Sequence, residues 1–351
     1  METPTQHPAN YFDVVGIIVA TMTEIVDNFG RRISYLRISV TDRCNLRCVY
    51  CMPAEGLPFA DLDTVLSDDE IMRVVELLAR HGLRKVRITG GEPLVRKEVP
   101  SLIARIAATP GIKDIGLTTN AILLPRYAED LWAAGLRRIN ISLDTLRTER
   151  FQTIARHGSL EETLEGIRVA ENVGFSPIKL NMVVMRGLNE DEVRSMAALT
   201  IDRPYEVRFL EYMPIGMVSP IQWRQRYVSN EEVLADIRSE FSVQEAPADE
   251  HSTARKFKID GAAGTFGLIN PISHKFCDGC NRLRLTANGA LVPCLSDNYE
   301  YDLRGPIRAG EDDEALIDHV RNALSHKPEF SDFEGRAKRG GSLRIMAQIG
   351  G

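Results

Sequence analysis

Short apolar runs recur through the first two thirds of the chain, and each reads as a strand. They span Tyr35–Thr41, Lys85–Thr89, Asp114–Thr119, Arg138–Leu143, Ile178–Val184 and Glu206–Met213. The stretches between them carry apolar residues at helical spacing. Three open with a capping box: Ser67 with Glu70, Ser159 with Glu162, and Ser229 with Glu232. Gly82, Gly135 and Gly174 sit where helices should stop. Strand–helix units in series predict a parallel sheet with right-handed crossovers. Six units are too few to close an eight-stranded barrel. The predicted fold is therefore α/β, a partial, open TIM-type barrel of about six βα units.

The pattern changes near Ala246, where Ala246-Pro-Ala-Asp-Glu-His reads as a linker. Short strand candidates follow at Arg255–Ile259, Thr265–Asn270, Arg282–Thr286 and Leu291–Leu295, with a hairpin signal at Asn288-Gly289. An acidic helix is predicted from Asp312 to about Leu324, and the tail from Gly335 to Gly351 is basic and glycine-rich. This divides the chain into an N-terminal extension (1–22), the barrel (23–245) and a small β-rich C-terminal module (246–351).

Composition narrows the function. The 351 residues are 44% hydrophobic and 26% charged, with a net charge of -6. That is enough apolar material for a large core, and no basic field invites nucleic acid. No apolar run is long enough to cross a bilayer. The apolar patch Val14 to Ala20 lacks a basic n-region, which argues against a secretory signal.

The cysteines change the picture most. Cys44, Cys48 and Cys51 form C-x-x-x-C-x-x-C directly after the first strand, and Cys277, Cys280 and Cys294 form C-x-x-C-x13-C in the C-terminal module. Two sets of three with none left over point to two metal centres, each keeping one open position. Metal-bound thiolates suit a reducing cytoplasm. Three disulfides would also use all six thiols. Zinc is a second alternative, above all for the later triad, where His274 stands three residues before Cys277.

Charge inside the strands is the next signal. Arg37, Arg87 and Lys179 each interrupt a mostly apolar run, and Arg282 and Arg284 share one strand face by the period of two. One such residue would be a buried ion pair; several on successive strands favour an anion site. Paired guanidiniums offer a fork for phosphate oxygens. The basic residues Arg336, Lys338, Arg339 and Arg344 near the end fit a solvated run.

The stretch "DRCNLRCVYCMP" resembles the signature of the radical S-adenosylmethionine (SAM) superfamily, and "ITGGEP" (Ile88 to Pro93) its SAM-binding turn. From about Asp27 to Gly351 the chain resembles the GTP 3′,8-cyclase family of molybdenum cofactor biosynthesis. "GRRISYLRISVTDRCNLRCVYCMP", "KVRITGGEPLVRK", "DIGLTTNAILL", "AGLRRINISLDTL", "EVRFLEYMPIG", "FCDGCNRLRLTANGALVPCL" and the ending "MAQIGG" carry this resemblance.

The resemblance implies a SAM-binding 4Fe–4S cluster on Cys44, Cys48 and Cys51, with SAM contacts at Tyr50, Gly91, Ser142 and Met213. It implies a second 4Fe–4S cluster on Cys277, Cys280 and Cys294, whose open iron faces the guanine of GTP. The GTP contacts would be Arg37, Arg87, Thr118, Lys179, Arg282, Leu283 and Arg284, and Gly350-Gly351 would thread into the active site. The implied reaction takes a hydrogen from C3′ of GTP with a 5′-deoxyadenosyl radical and joins C3′ to C8. An electron donor and a downstream cyclic pyranopterin monophosphate synthase are the implied partners, and a homodimer is left open. Two alternatives stand beside this: a peptide-modifying radical SAM enzyme with an auxiliary cluster, and a zinc-stabilised binding module.

Overall fold

A computed structural model describes residues 24–56, 58–216, 219–247, 252–338 and 345–350. The six expected barrel strands are β1 (Tyr35–Ser39), β2 (Lys85–Thr89), β3 (Asp114–Thr119), β4 (Arg138–Ser142), β5 (Ile178–Val184) and β6 (Glu206–Glu211). They pair in sequence order, all parallel. Helices such as Asp68–Arg80, Val99–Ala108, Leu124–Ala133 and Leu160–Val173 connect them. The three expected capping boxes are present at Ser67, Ser159 and Ser229, and Ser219 with Gln222 makes a fourth. Gly82, Gly135 and Gly174 take φ near +96° to +99°, the left-handed conformation that ends a helix.

The later strands are β7 (Val243–Ala246), β8 (Ala254–Ile259), β9 (Thr265–Ile269), β10 (Arg282–Leu285), β11 (Ala290–Val292) and β12 (Tyr301–Asp302). They extend the barrel sheet rather than forming a sheet of their own. β10 pairs in parallel with β1, and β9 in parallel with β6. The order is β12-β11-β10-β1-β2-β3-β4-β5-β6-β9-β8-β7, so eight parallel strands are flanked by an antiparallel ribbon at each edge. The barrel is open, as expected, although β9 and β10 bring its parallel strands to eight rather than six. Asn288 and Gly289 turn the β10–β11 hairpin, with Gly289 at φ +83°. Part of the linker, residues 248–251, lies outside the described residues.

Alternation along the strands builds the site. One face carries Leu36, Ile38, Val86, Ile88, Leu117, Ile139, Ile141, Leu180, Met182, Val207, Phe209, Leu283 and Leu285, all fully buried in one apolar core with the helices. The other face carries Tyr35, Arg37, Lys85, Arg87, Thr118, Asn140, Ser142, Lys179, Asn181, Arg208, Arg282 and Arg284. Parallel strands buried on both faces usually read as unbroken apolar runs. Here the period of two is the mark of a polar lumen.

Candidate active site

The polar face lines a cavity of about 460 Å³, and all six cysteines open onto it. The first triad leaves the C-terminal end of β1, whereas Cys277 and Cys280 precede the N-terminal end of β10, its parallel neighbour. The triads thus sit at opposite ends of the same two strands. Five residues at about 3.3 Å each put roughly 16 Å of strand between them. Arg37, Arg282 and Arg284 fill that interval.

The first loop is held by the segment around Ile154–Arg156 and by the tail helix. Arg47 and Val49 donate their N–H groups to Ala155 and Ile154 carbonyls, each at 2.9 Å, and Arg156 donates to the Arg47 and Met52 carbonyls. Met52 packs with Ile345 and Ala347 against Cys44 and Cys51. The glycine turn lies on this loop: Gly91 N–H donates to Thr41 O at 2.7 Å, and a Cβ on Gly91 would come within 2.3 Å of Arg43 O. Only glycine fits there. The Glu92 carboxylate accepts from Thr119 Oγ1 (2.7 Å), Asn120 N (2.7 Å) and Leu94 N (3.1 Å). It therefore braces the β2 and β3 loops as well as lining the cavity. Burial raises it to about 7, against the pull of those donors.

Tyr50, Ser142 and Met213 also line the cavity. Tyr50 donates to Asp144 Oδ2 at 2.7 Å, and the other Asp144 oxygen accepts from Val183 N–H at 2.9 Å. Burial lifts Asp144 to about 6 and, with Asp144 beside it, Tyr50 well above its ordinary value.

The cations divide into two groups. Lys179 donates to Glu206 at 2.8 Å, Arg208 pairs with the same carboxylate at 2.5 Å, and Lys256 stands 3.5 Å from it. Lys85 and Arg138 pair with Asp114. Among the described residues, Arg37, Arg87, Arg282 and Arg284 face no carboxylate. Arg87 Nε donates to Tyr35 Oη at 2.6 Å, Arg282 lies over the Phe276 ring at 5.0 Å, and Arg37 Nε is buried without a partner. The Thr118 hydroxyl is also buried without one. Burial lowers Arg284 to about 9, and Arg37 and Arg282 push the same way. The cavity is built for an anion that brings its own charge.

The placements qualify two expectations. The Leu283 side chain is on the opposite face, fully buried in the apolar core, so only its backbone can meet a ligand. The Lys179 ammonium is already bound by Glu206, so any nucleotide shares it. Gly350 lies against two of the cavity's arginines: after the short helix Met346–Ile349, its carbonyl accepts from Arg284 Nη1 at 2.9 Å and Arg37 Nη2 at 3.1 Å. Gly351 lies outside the described residues, as do Arg339 and Arg344, and the side chains of Arg336 and Lys338. Tyr35, Lys85, Asp144, Glu206 and Arg208 are site residues that sequence alone did not single out. The period of two pairs Tyr35 with Arg37, Lys85 with Arg87, and Glu206 with Arg208, and could have found them.

The residues suit clusters better than single ions. All six cysteines are free, which removes the disulfide alternative. Among the described residues, no three Cys, His, Asp or Glu side chains converge where one metal ion could sit, and His274 is exposed. A cluster spreads its thiolates, because each sulfur binds a different iron.

Comparison with known proteins fixes the class. The Radical SAM superfamily matches residues 38–200, and Molybdenum Cofactor Synthesis C matches residues 205–333. The structure of Streptococcus suis SuiB bound to S-adenosylmethionine shares the fold at 16% identity and TM-score 0.53, over 88% of this chain. This chain spans 66% of that one, just under two thirds. Fold and first loop together define a radical SAM enzyme.

Curated relatives narrow this. GTP 3′,8-cyclases from Peptoclostridium acidaminophilum (48% identity, 93% of this chain, 98% of the relative), Geobacter sulfurreducens (45%, 93%, 100%) and Listeria monocytogenes (44%, 94%, 100%) match over nearly their whole lengths. The chain belongs to the GTP 3′,8-cyclase family, radical SAM enzymes of molybdenum cofactor biosynthesis that carry SAM and two 4Fe–4S clusters. Among the described residues, no helix is long and apolar enough to cross a membrane.

Proposed function

We propose that this cavity holds SAM at the end formed by Cys44, Cys48 and Cys51, and GTP toward Cys277, Cys280 and Cys294. Tyr50, Gly91, Ser142 and Met213 would shape the SAM pocket. Arg37, Arg87, Arg282, Arg284 and Thr118 would bind the nucleotide, with Lys179 shared and Leu283 contributing through its backbone. When bound on Cys44, Cys48 and Cys51, a cluster with SAM would supply a carbon-centred radical, and a cluster held by Cys277, Cys280 and Cys294 would supply a Lewis-acidic iron for the guanine. The reaction converts GTP to its 3′,8-cyclised 7,8-dihydro derivative.

The chain's own part is to bind, orient and keep water out. The arginines without carboxylates neutralise the triphosphate in a dry site, where charge-assisted contacts are strong. The Asp144–Tyr50 pair pins the ring beside the first triad. The tail helix covers Arg37 and Arg284, and Gly350 places a carbonyl, not a side chain, among the cations. Beyond the cavity, the reading calls for an external electron donor, a cyclic pyranopterin monophosphate synthase to take the product, and a cytoplasmic setting that keeps thiolates reduced.

The observation that carries this reading is one cavity lined by six free cysteines and four arginines without carboxylates. Its test is anaerobic incubation with SAM, a reductant and one nucleotide at a time. GTP should give 5′-deoxyadenosine and the cyclised product together. Equal conversion of ATP would overturn the guanine assignment. So would 5′-deoxyadenosine formation that depends on a peptide and on no nucleotide.

A further inference from the structure

One buried cation lies outside the nucleotide-facing set. Lys327 follows the helix Asp313–Ser325 and is 3% exposed. Its Nζ donates to Arg282 O at 2.8 Å and Pro293 O at 2.5 Å, and among the described residues it has no carboxylate partner. Arg282 stands two residues after Cys280, and Pro293 directly precedes Cys294. One ammonium thus ties together the two segments that carry the second triad.

The surroundings isolate its charge. Arg31 holds the same region, donating to Cys277 O at 3.1 Å, Pro328 O at 2.7 Å and Glu329 O at 2.8 Å. Arg31, however, is neutralised by Asp27, 2.6 Å away and buried with it. Lys327 has only neutral carbonyls. A buried ammonium with neutral partners is costly unless an anion lies near. The anion at hand is the second triad, of which Cys280 and Cys294 lie close enough to act on the ammonium.

We propose that Lys327 is the built-in counter-ion of the second iron–sulfur cluster, joining both ends of its binding loop and raising its reduction potential. This rests on the reading that the second triad holds a 4Fe–4S cluster. Positive charge near a cluster favours the more negative, reduced form. Lys327 does not line the cavity, so it is a positioning and tuning residue.

The test uses the full chain with Cys44, Cys48 and Cys51 changed to Ala, so that only the second centre contributes. Anaerobic reconstitution and iron counting come first. Absence of about four irons in this parent would overturn the cluster reading itself, separately from the Lys327 assignment. Redox titration followed by electron paramagnetic resonance then compares the parent with Lys327→Met and Lys327→Arg. Lys327→Met should lower the reduced-to-oxidised ratio at fixed potential at least tenfold, a downward shift of about 59 mV for one electron. Lys327→Arg, which keeps the charge, should recover most of that shift. Loss of iron in Lys327→Met but not in Lys327→Arg would equally support a required cation. Met and Arg variants that titrate like the parent would overturn the proposal, as would loss of iron from both.

Discussion

Cys44, Cys48 and Cys51 sit in a setting where burial governs. It pushes Cys44 up to about 11 and Cys51 to about 12, and it lifts Cys48 well above the ordinary thiol range, with Asp144 adding to the effect. At Cys280 burial works the same way, but Arg282, Lys327 and Arg31 outweigh it and bring the thiol down to about 7. The first triad and Cys280 present the same kind of ligand in opposite fields. An extra electron is resisted at the first and favoured at the second. With clusters bound as proposed, the first would be the more strongly reducing centre and the second the milder one. The cations near the first triad are spent on structure: Arg47 on the Cys44 carbonyl, Arg156 on the Arg47 and Met52 carbonyls.

The largest effect should come from removing one ligand at each end. Cys48→Ala should abolish SAM cleavage and all that follows. Cys280→Ala should leave measurable 5′-deoxyadenosine yet no cyclised nucleotide. Both yields are read from one anaerobic assay, and equal loss of both in both variants would erase the division of labour. Next come the arginines between the triads. Arg284→Ala removes a buried charge-assisted contact of about 1.5–3 kcal/mol, or roughly 10- to 150-fold in GTP affinity. Lys at that position should restore only part, since it lacks the planar fork. Equilibrium dialysis without oxygen measures this, and unchanged affinity would remove Arg284 from the nucleotide site.

Much of this plan is legible in the sequence. β2, β3 and β5 have the expected bounds, because alternation and flanking glycines mark strand ends strongly. Both triads were visible from spacing. β7 and β12 were not: Val243-Gln-Glu-Ala is half polar and β12 is two residues long, so edge pairing leaves little apolar signal. The same alternation that put Arg282 and Arg284 on one face already put Leu283 on the other, and the resemblance outran that arithmetic. Which carboxylate holds which cation is a tertiary fact. Glu206 and Lys179 lie 27 residues apart on neighbouring strands, and only the β5–β6 register brings them together. Lys327 is further hidden, since one lysine after a helix reads as a helix C-terminus complementing its dipole.

Glu206 gives a smaller effect with a definite sign. Burial raises its pKa, but Arg208, Lys179 and Lys256 outweigh that and hold it at about 2. A folded-state pKa below the unfolded value near 4.5 gives stability that is present above pH 4.5 and lost as pH falls toward 2. Lys179 runs the other way: burial and Arg208 outweigh the carboxylate and lower it to about 8, so its contribution improves as pH rises from 8 toward 10.5. Glu206→Gln should therefore flatten the acid limb of the stability curve, by on the order of 2 kcal/mol. Chemical denaturation at pH 3, 5 and 7 reads it. An unchanged acid limb would mean that the carboxylate is not the anchor of these three cations.

The finest test of the two opposed fields needs no iron. In the metal-free chain, alkylation of Cys280 should begin at lower pH than that of an ordinary thiol, because only the thiolate reacts. A pKa about two units low gives roughly 100 times more thiolate at pH 6. Nucleophilicity falls as the pKa falls, with a Brønsted slope of about 0.4–0.5, and returns about eightfold of that gain. The net advantage should be roughly tenfold, with an inflection near pH 7. Access affects the rate but not the position of the inflection, so the pH profile is the proper readout, resolved residue by residue by mass spectrometry. Cys48 and Cys51 should still be rising at pH 9. Lys327→Met should move the Cys280 inflection upward and leave those of the first triad in place. One common inflection for all six thiols would show that the two fields do not differ, and the contrast between the triads would then have to come from the clusters rather than from the chain.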